Sequence, residues 1–282
     1  MSGNCLILFS ELKLQSISIL KSSEFVSFIG SGNLAWHLAP ALDNAGWIVK
    51  EVYSRNPSHA EELTERLYQA EVKASLDFST SPSKLFIIAA ADDAIRSIAQ
   101  EIILPDEAIL VHTSGSQSIS ELQYAATPHL GVLYPLQTFS QSRRVDFKSV
   151  PIFIESHTEE AEELLTVVAR SLSTQVKKIG SEERKALHVA AVFASNFTNH
   201  MLTLSREIMK RNSLDFEWLK PLILETLNKG LTLGPQQAQT GPAKRGDLET
   251  LDSHLSFLVE DERLAEIYKV ISQHIIDTYH SE

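Results

Sequence analysis

The stretch from Phe25 to Ala35 (FVSFIGSGNLA) places a short apolar run before two closely spaced glycines, after which an apolar pattern at helical spacing begins. This G-x-G-x-x-A form is typical of the strand–turn–helix unit that binds a dinucleotide, because the glycines allow a tight turn and a close approach of the pyrophosphate. The free N–H groups at the start of the helix then face the phosphates. The predicted cofactor-binding residues are Gly30, Ser31, Gly32, Asn33 and Leu34. The alternative is a structural turn that binds no ligand.

Composition and charge exclude several kinds of partner. The 282 residues carry a net charge of -11, which would repel a nucleic acid. No apolar run approaches the roughly 18 residues that span a bilayer, so we expect no membrane partner. The single cysteine, Cys5, excludes an intrachain disulfide and a zinc cluster built from cysteines. We expect a cytoplasmic protein that acts on a small molecule without a bound metal.

The end of the second predicted strand, at 48–53, decides which dinucleotide is expected. NAD sites usually carry an acidic residue there for the ribose 2′-hydroxyl, whereas NADP sites carry a cation for the 2′-phosphate. Glu51 has the right spacing from the glycines but lies in mid-strand, while Ser54, Arg55 and Asn56 follow its carboxyl end. Arginine binds phosphate through paired hydrogen bonds. We therefore predict NADP (NADPH), bound by these three residues; the alternative for Arg55 is an ordinary surface arginine.

Small and polar residues follow two later predicted strands. Ala90 and Asp92 follow one of them, and we predict that both contact the cofactor, although Asp92 could instead cap the next helix. Thr113 and Ser114 follow the other, near the expected nicotinamide end of the cleft. We predict Thr113 as a cofactor ligand and Ser114 as a donor to substrate or nicotinamide, or alternatively as the cap of a helix at 118–124.

The pattern changes from strands to helices near residue 156. We predict strands at 25–29, 48–53, 72–74, 85–90, 108–111, 131–139 and 150–155, with helices at 33–44, 59–69 and 118–124. The later helices are predicted at 157–171, 182–211, 215–233 and 260–279, with a helix capped by Asp247 between the last two. The predicted fold class is α/β, a Rossmann-type doubly wound parallel sheet followed by an all-α C-terminal domain. The predicted domains are an N-terminal extension (1–23), an NADP-binding domain (24–156) and a helical substrate and dimerisation domain (157–282).

One long helical pattern has no ordinary solvent face. Between Lys185 and Arg206 there is no formal charge if histidine is neutral, so we expect this helix to be buried within its domain or against a second subunit. His188, Asn196 and Asn199 lie on its polar side. Their partners are either other side chains or a ligand, with His188 as proton donor and the two asparagines orienting cofactor or substrate.

The loop from Thr240 to Asp247 combines turn residues with two adjacent cations in an acidic protein. Arg245 could hold a substrate carboxylate through paired hydrogen bonds. The alternative is a solvated loop whose Asp247 caps the next helix.

From about Phe25 onward the chain resembles a bacterial family that pairs a Rossmann-like domain with a helical C-terminal domain of unknown function. The first domain is similar to those of deazaflavin-dependent NADP oxidoreductases, and the second to the 6-phosphogluconate dehydrogenase C-terminal domain. The matching stretches are 111–115 (VHTSG), 131–139, 188–197 (HVAAVFASNF) and 241–247 (GPAKRGD). The resemblance implies NADP binding and a homodimer joined through the helical domain, without a settled substrate.

Two positions depart from the related enzymes. Tyr134 precedes Pro135 where family members tend to carry histidine, so we predict Tyr134 as a substrate residue in its place. Val192 lies four residues before Asn196, where the related hydroxyacid dehydrogenases carry a catalytic lysine.

These features predict an NADP-dependent oxidoreductase that transfers a hydride to or from a small carbonyl, imine or deazaflavin-like substrate held between the two domains. Its predicted catalytic residues are His188, Asn196 and Ser114, and its predicted substrate residues are Tyr134, Asn199 and Arg245. The alternative is an NADP-binding sensor without redox turnover, which the missing lysine favours.

Overall fold

A computed structural model of the protein describes residues 25–280, and the predicted extension at 1–23 lies outside this range. The chain divides into two compact units between Phe193 and Ala194.

The first unit is built on an eight-stranded sheet with the order β3-β2-β1-β4-β5-β6-β7-β8. Its strands are β1 (Phe25–Ile29), β2 (Ile48–Tyr53), β3 (Glu71–Lys73), β4 (Leu85–Ile88), β5 (Ile109–His112), β6 (His129–Pro135), β7 (Ile152–Ser156) and β8 (Val176–Lys178). All neighbouring pairs are parallel except β6 and β7, which are antiparallel. This is the Rossmann-type order, and it confirms the predicted fold class.

Both faces of the sheet are buried, which explains why its central strands are continuous apolar runs. In β4, Leu85 and Ile87 belong to one apolar cluster, whereas Phe86 and Ile88 belong to a second cluster on the opposite face. Successive side chains of a strand point to opposite faces, so each cluster takes every second residue.

Between residues 25 and 193, five α-helices accompany the sheet: α1 (Asn33–Asn44), α2 (Pro57–Thr64), α3 (Ile95–Glu101), α4 (Glu159–Leu172) and α5 (Ser181–Ala191). The bounds of α1 agree with the prediction, and Pro40 lies inside it. The helix predicted at 59–69 begins two residues earlier and ends at Thr64, because Asn56 caps it and Pro57 occupies its first position. The segment predicted as a helix at 118–124 is a short 3-10 turn, Ile119–Leu122, capped by Ser118.

The second unit is helical. After a π-helical segment, Val192–Phe197, it contains α6 (Thr198–Arg211), α7 (Lys220–Leu233), α8 (Pro235–Ala238), α9 (Pro242–Arg245), α10 (Leu248–Phe257) and α11 (Glu262–His280). The predicted helix at 182–211 is therefore divided into α5, the π-helical segment and α6. The predicted cap of α10 is present, since the Asp247 carboxylate accepts a hydrogen bond from the Thr250 N–H at 3.1 Å.

The boundary between the two units lies after Phe193, which is 37 residues later than the predicted boundary after Ser156. The reason is that the chain beyond Ser156 still builds the sheet. Strand β8 pairs in parallel with β7, and the apolar side of α4, including Leu165, is buried in the core of the sheet. Between residues 25 and 280, no helix combines the length and the apolar character needed to cross a bilayer.

Candidate functional site

A cleft of about 1210 Å³ runs along the carboxyl ends of β1, β2, β4, β5 and β6. Ligands of open α/β sheets bind in this position. The cleft is lined by eleven predicted cofactor residues, Gly30, Ser31, Gly32, Asn33, Leu34, Ser54, Arg55, Asn56, Ala90, Asp92 and Thr113. It is also lined by Ser114, Tyr134 and His188.

The turn after β1 requires glycine at position 30. Gly30 has a φ of +109°, a conformation that side-chain-bearing residues rarely adopt. A Cβ atom there would lie 2.4 Å from the carbonyl oxygen of Ala89. The Gly30 N–H donates to the Tyr53 carbonyl at 2.7 Å, so the turn lies directly beside the end of β2.

The end of β2 presents an exposed cation to the cleft. Arg55 is exposed, and within residues 25–280 no carboxylate pairs with it. Glu51 instead accepts hydrogen bonds from the hydroxyls of Ser27, at 2.8 Å, and Ser81, and forms an ion pair with Lys73 at 3.2 Å. Glu51 therefore bonds within the sheet and does not line the cleft, which leaves Arg55 as the charged group at the strand end.

Asp92 does not cap a helix, in contrast to the alternative considered from the sequence. Asp92 is the first residue of a short 3-10 turn, Asp92–Ala94. The N-cap of this turn is Ala91, which provides no side-chain hydrogen bond. The Asp92 carboxylate accepts a hydrogen bond from the Ser116 hydroxyl at 2.6 Å. Asp92 thus connects the segment after β4 to the loop after β5.

The loop after β5 is folded around Ser114 and His112. The Ser114 hydroxyl oxygen accepts hydrogen bonds from the N–H groups of Ser116 and Gln117, at 3.1 and 3.0 Å. The His112 imidazole is fully buried, and burial lowers its pKa to about 4, with a smaller contribution from the charge of Arg184. A neutral imidazole has one acceptor and one donor nitrogen. Its Nδ1 accepts from the Ser114 N–H at 3.1 Å, so its Nε2 donates to the Ser118 carbonyl at 3.3 Å.

Tyr134 and His188, 54 residues apart, meet at the nicotinamide end predicted for the cleft. The Tyr134 hydroxyl and the His188 Nδ1 are 3.0 Å apart. Burial raises the pKa of Tyr134, so its hydroxyl keeps its proton near neutral pH. Gly115 allows this approach, because a Cβ atom there would lie 2.5 Å from His188 Nδ1 and 2.7 Å from Tyr134 Cζ.

A buried ion pair that sequence reasoning missed anchors α5. Arg184 is 1% exposed, pairs with Glu155 of β7 and donates to the carbonyl of Gln117 in the loop after β5. The Ser181 hydroxyl donates to the same Glu155 carboxylate at 2.9 Å. Arg184 lies one helical turn before His188, so its contacts fix α5 to the sheet beside the Tyr134–His188 pair. In the sequence Arg184 is one cation among several charged residues, and nothing marks it as buried.

The remaining predicted site residues belong to the second unit. Asn196 and Asn199 are exposed, and Arg245 is exposed with its guanidinium 3.9 Å from the Asp247 carboxylate. Their predicted roles stay predictions. The uncharged helical pattern is not buried within the chain, because Val189 of α5 is half exposed. Of the two expectations for this pattern, burial within its own domain is wrong.

Side chains that line the cleft and were not predicted from the sequence include Trp36, His59, Glu62 and Gln137. His59 and Glu62 lie on α2 and inside the helix predicted at 59–69, so they were missed because the helical pattern alone does not mark which of its faces meets the cleft.

The sheet order and the cleft at its carboxyl edge define a Rossmann-type α/β protein with a helical C-terminal unit. A family described as "Domain of unknown function (DUF2520)" matches residues 150–275. The crystal structure described as "putative NADP oxidoreductase BF3122 from Bacteroides fragilis" shares 40% identity with this chain, covers 91% of it and 99% of the other chain, and superimposes with a TM-score of 0.82. The chain therefore belongs to the bacterial family that pairs a Rossmann-like domain with a helical C-terminal domain of unknown function.

More distant structures share the fold. Protein TM1727 from Thermotoga maritima is 22% identical, with 91% of this chain and 100% of that chain covered and a TM-score of 0.73. A reductive aminase from Aspergillus terreus, in complex with NADPH and ethyl-5-oxohexanoate, is 15% identical. The match covers 91% of this chain and 94% of that chain, with a TM-score of 0.67. A comparison with curated proteins finds no match for this chain.

Proposed function

We propose that this protein is an NADP-dependent oxidoreductase that transfers a hydride to or from a small carbonyl, imine or deazaflavin-like substrate. The observation that supports it most is that a single cleft contains the glycine turn, Arg55 and the Tyr134–His188 pair. The names of similar proteins, a "putative NADP oxidoreductase" and an NADPH-bound reductive aminase, agree with this chemistry.

In this proposal the cofactor extends along the strand ends. The turn at Gly32 and the first N–H groups of α1 bind the pyrophosphate, because the start of a helix presents unpaired N–H groups and Gly32 has no side chain to block the approach. Ser54 and Arg55 bind the 2′-phosphate. Bound NADPH supplies the hydride, and the residues of the chain bind, orient and move a proton.

His188 is proposed as the proton donor to the substrate. The Tyr134 hydroxyl can donate to His188 Nδ1 or accept from it. A histidine that acts as proton donor is an imidazolium with a hydrogen on each nitrogen, so in this proposal Nδ1–H donates to the Tyr134 oxygen and Nε2–H is left for the substrate. A positioned general acid contributes about 100-fold or more to proton transfer. The Ser114 hydroxyl hydrogen points to the Ser116 oxygen at 3.4 Å, because Ser116 donates its own hydrogen to Asp92. In this proposal a substrate or nicotinamide acceptor replaces that long contact.

Fluorescence titration tests the cofactor. Trp36 lines the cleft, so its emission should change when a dinucleotide binds. We expect tighter binding of NADPH than of NADH. Equal affinity for the two would exclude a role of Arg55 in selecting the cofactor.

Replacing Arg55 by glutamate should weaken NADPH binding about tenfold and leave NADH binding nearly unchanged, since a carboxylate would then face the 2′-phosphate in an exposed position. Arg170→Glu is the matched control, because Arg170 is an exposed arginine on α4 that does not line the cleft. Dissociation constants from the same titration measure both. Parallel loss of NADPH binding in the two variants would show a nonspecific charge effect.

A sensor that binds NADP without turnover is the second candidate function, favoured by Val192 at the position of the missing lysine. Turnover of NADPH with a panel of keto acids, ketones, imines and deazaflavins distinguishes the two. Tight NADPH binding without turnover across this panel would support the sensor.

We also propose a homodimer formed through the helical unit. Leu224, Leu227 and Leu231 form a stripe at helical spacing on α7, and all three are exposed, Leu231 by 88%. Soluble proteins rarely leave such a stripe in water unless a partner covers it. An apolar cavity of about 320 Å³ in the same unit, between α6, α9, α10 and α11, offers a complementary surface in a second copy.

Replacing Leu231 by glutamate should convert the dimer largely to monomer at micromolar concentration, because burying an unpaired carboxylate in an apolar interface is unfavourable. Light scattering after size exclusion measures the mass. Glu225→Lys is the control, because it changes an exposed charge on α7 outside the leucine stripe. A wild-type chain that is monomeric at all concentrations would contradict the proposal.

A further inference from the structure

His59 lies in the first turn of α2, four residues after Arg55, and its side chain lines the same end of the cleft. It is exposed, so a ligand in the cleft can reach it. Within residues 25–280, the charged side chains lining the cleft, apart from the histidines, are Arg55, Glu62, Asp92 and Glu101. Among these four, Arg55 is the cation.

The hydrogen bonds around Asn56 determine which nitrogen of His59 carries a hydrogen. The Asn56 Oδ1 accepts from the N–H of Ser58 at 3.3 Å and from its hydroxyl at 2.9 Å, so this atom is the oxygen of the amide. The other amide atom, Nδ2, lies 3.2 Å from His59 Nε2. Because Nδ2 can only donate, Nε2 must accept. The imidazole in this arrangement is therefore neutral, with its hydrogen on Nδ1.

A protonated His59 cannot keep this bond, because both ring nitrogens of an imidazolium are donors. The ring would then leave Asn56 and offer two charged donors to an acceptor in the cleft. A 2′-phosphate beside Arg55 is such an acceptor, and it would favour the charged ring. Protonation of the ring thus competes with the Asn56 bond and is stabilised by the phosphate.

The charged groups near His59 act in opposite directions on its protonation, so the bound phosphate decides whether the ring is protonated. On the cleft side, the positive Arg55 disfavours a proton on His59, whereas Glu62 of the next turn of α2 favours it. Helix α2 packs against β2 and β3, whose charged residues are Lys50, Glu51, Glu71 and Lys73. Of these, Glu51 and Lys73 pair with each other, and none lines the cleft.

We infer that His59 is a second ligand of the 2′-phosphate, and that NADPH binding takes up a proton from solvent at His59 whereas NADH binding does not. The preference for NADPH over NADH then increases as the pH falls. This inference rests on the proposed NADP site and adds to it a dependence of cofactor selection on protonation.

The test compares dissociation constants of NADPH and NADH between about pH 6 and about pH 8, the range in which histidine side chains change charge. We compare the ratio of the NADH dissociation constant to the NADPH dissociation constant. At about pH 6 this ratio should be about fivefold higher for wild type than for His59→Gln, because one exposed ion pair contributes about that factor. The 2′-phosphate itself takes up a proton near pH 6, but it does so equally with both variants.

Two further variants complete the experiment. His59→Lys carries a positive charge over this whole pH range. Its ratio of NADH to NADPH dissociation constants at about pH 8 should therefore equal the wild-type ratio at about pH 6. His157→Gln changes an exposed histidine that does not line the cleft and should reproduce the wild-type profile. Isothermal titration in buffers of different ionisation enthalpy should show proton uptake with NADPH that His59→Gln lacks.

The outcomes separate this inference from the proposed function. A wild-type preference for NADPH whose pH profile is unchanged in His59→Gln would overturn the role of His59 and leave the NADP site intact. Equal affinity of wild type for NADPH and NADH at every pH would overturn both.

Discussion

Replacing His188 by glutamine lowers kcat about 100-fold with whichever substrate of the panel turns over fastest, and leaves NADPH affinity within about twofold of wild type. Glutamine retains a polar side chain of similar length but cannot supply a proton. Because the loss affects the proton transfer and not the binding of the cofactor, kcat and the NADPH dissociation constant should separate. Steady-state kinetics and fluorescence titration measure the two quantities.

Tyr134→Phe provides the companion measurement. It removes the hydroxyl that bonds to His188 Nδ1 but keeps the ring that packs beside it, so the imidazole loses a partner that positions it while remaining able to donate. We expect a smaller loss of kcat, about tenfold. His157→Gln is the matched control for a changed histidine. Full activity of His188→Gln would show that another group donates the proton.

Replacing Arg184 by methionine lowers the free energy of unfolding by about 3 kcal/mol, because Glu155 then keeps its charge in a largely buried place without its partner. The Arg184–Glu155 pair connects α5 to β7. The Arg184 guanidinium also donates to the Gln117 carbonyl in the loop after β5. Denaturant unfolding of wild type and variant, followed by circular dichroism, gives the difference.

Lys178→Met is the matched control, because it breaks an ion pair, with Glu162, that is solvent-exposed on both sides. Exposed pairs contribute about 1 kcal/mol or less. In the double variant Arg184→Met, Glu155→Leu much of the lost stability should return, since no charge is left unpaired. Equal destabilisation by Arg184→Met and Lys178→Met would mean that the burial of Arg184 has no energetic consequence.

The first βα unit could be predicted from the sequence because its constraints are local. A glycine at positive φ, a buried strand and an apolar helical face all occur within 20 residues, and the bounds of β1, α1 and β2 agree with the prediction. The end of β2 could be interpreted for the same reason. There Arg55 lies two residues after the last residue of the strand, and its position at the carboxyl edge depends only on where the strand ends.

The other half of the cleft depends on contacts between distant residues. The approach of Tyr134 to His188 and the bond from Ser116 to Asp92 join segments from different strands, and no local pattern specifies them. The same holds for Arg184, whose burial follows from the position of α5 over β7. Local chemistry could have corrected one error: Asn56 followed by Pro57 is a better start for α2 than the predicted start at residue 59.

The absence of a side chain at position 115 also limits how this cleft can be altered. Any residue larger than glycine would clash with the rings of Tyr134 and His188. A substitution at position 115 therefore cannot add a contact to a ligand without displacing these two side chains. A change in the size or shape of the molecule accepted here must therefore come from other lining positions, of which Gln137 is one with a side chain to exchange. The close approach of Gly115 to the two rings thus excludes one position from any redesign of the cleft.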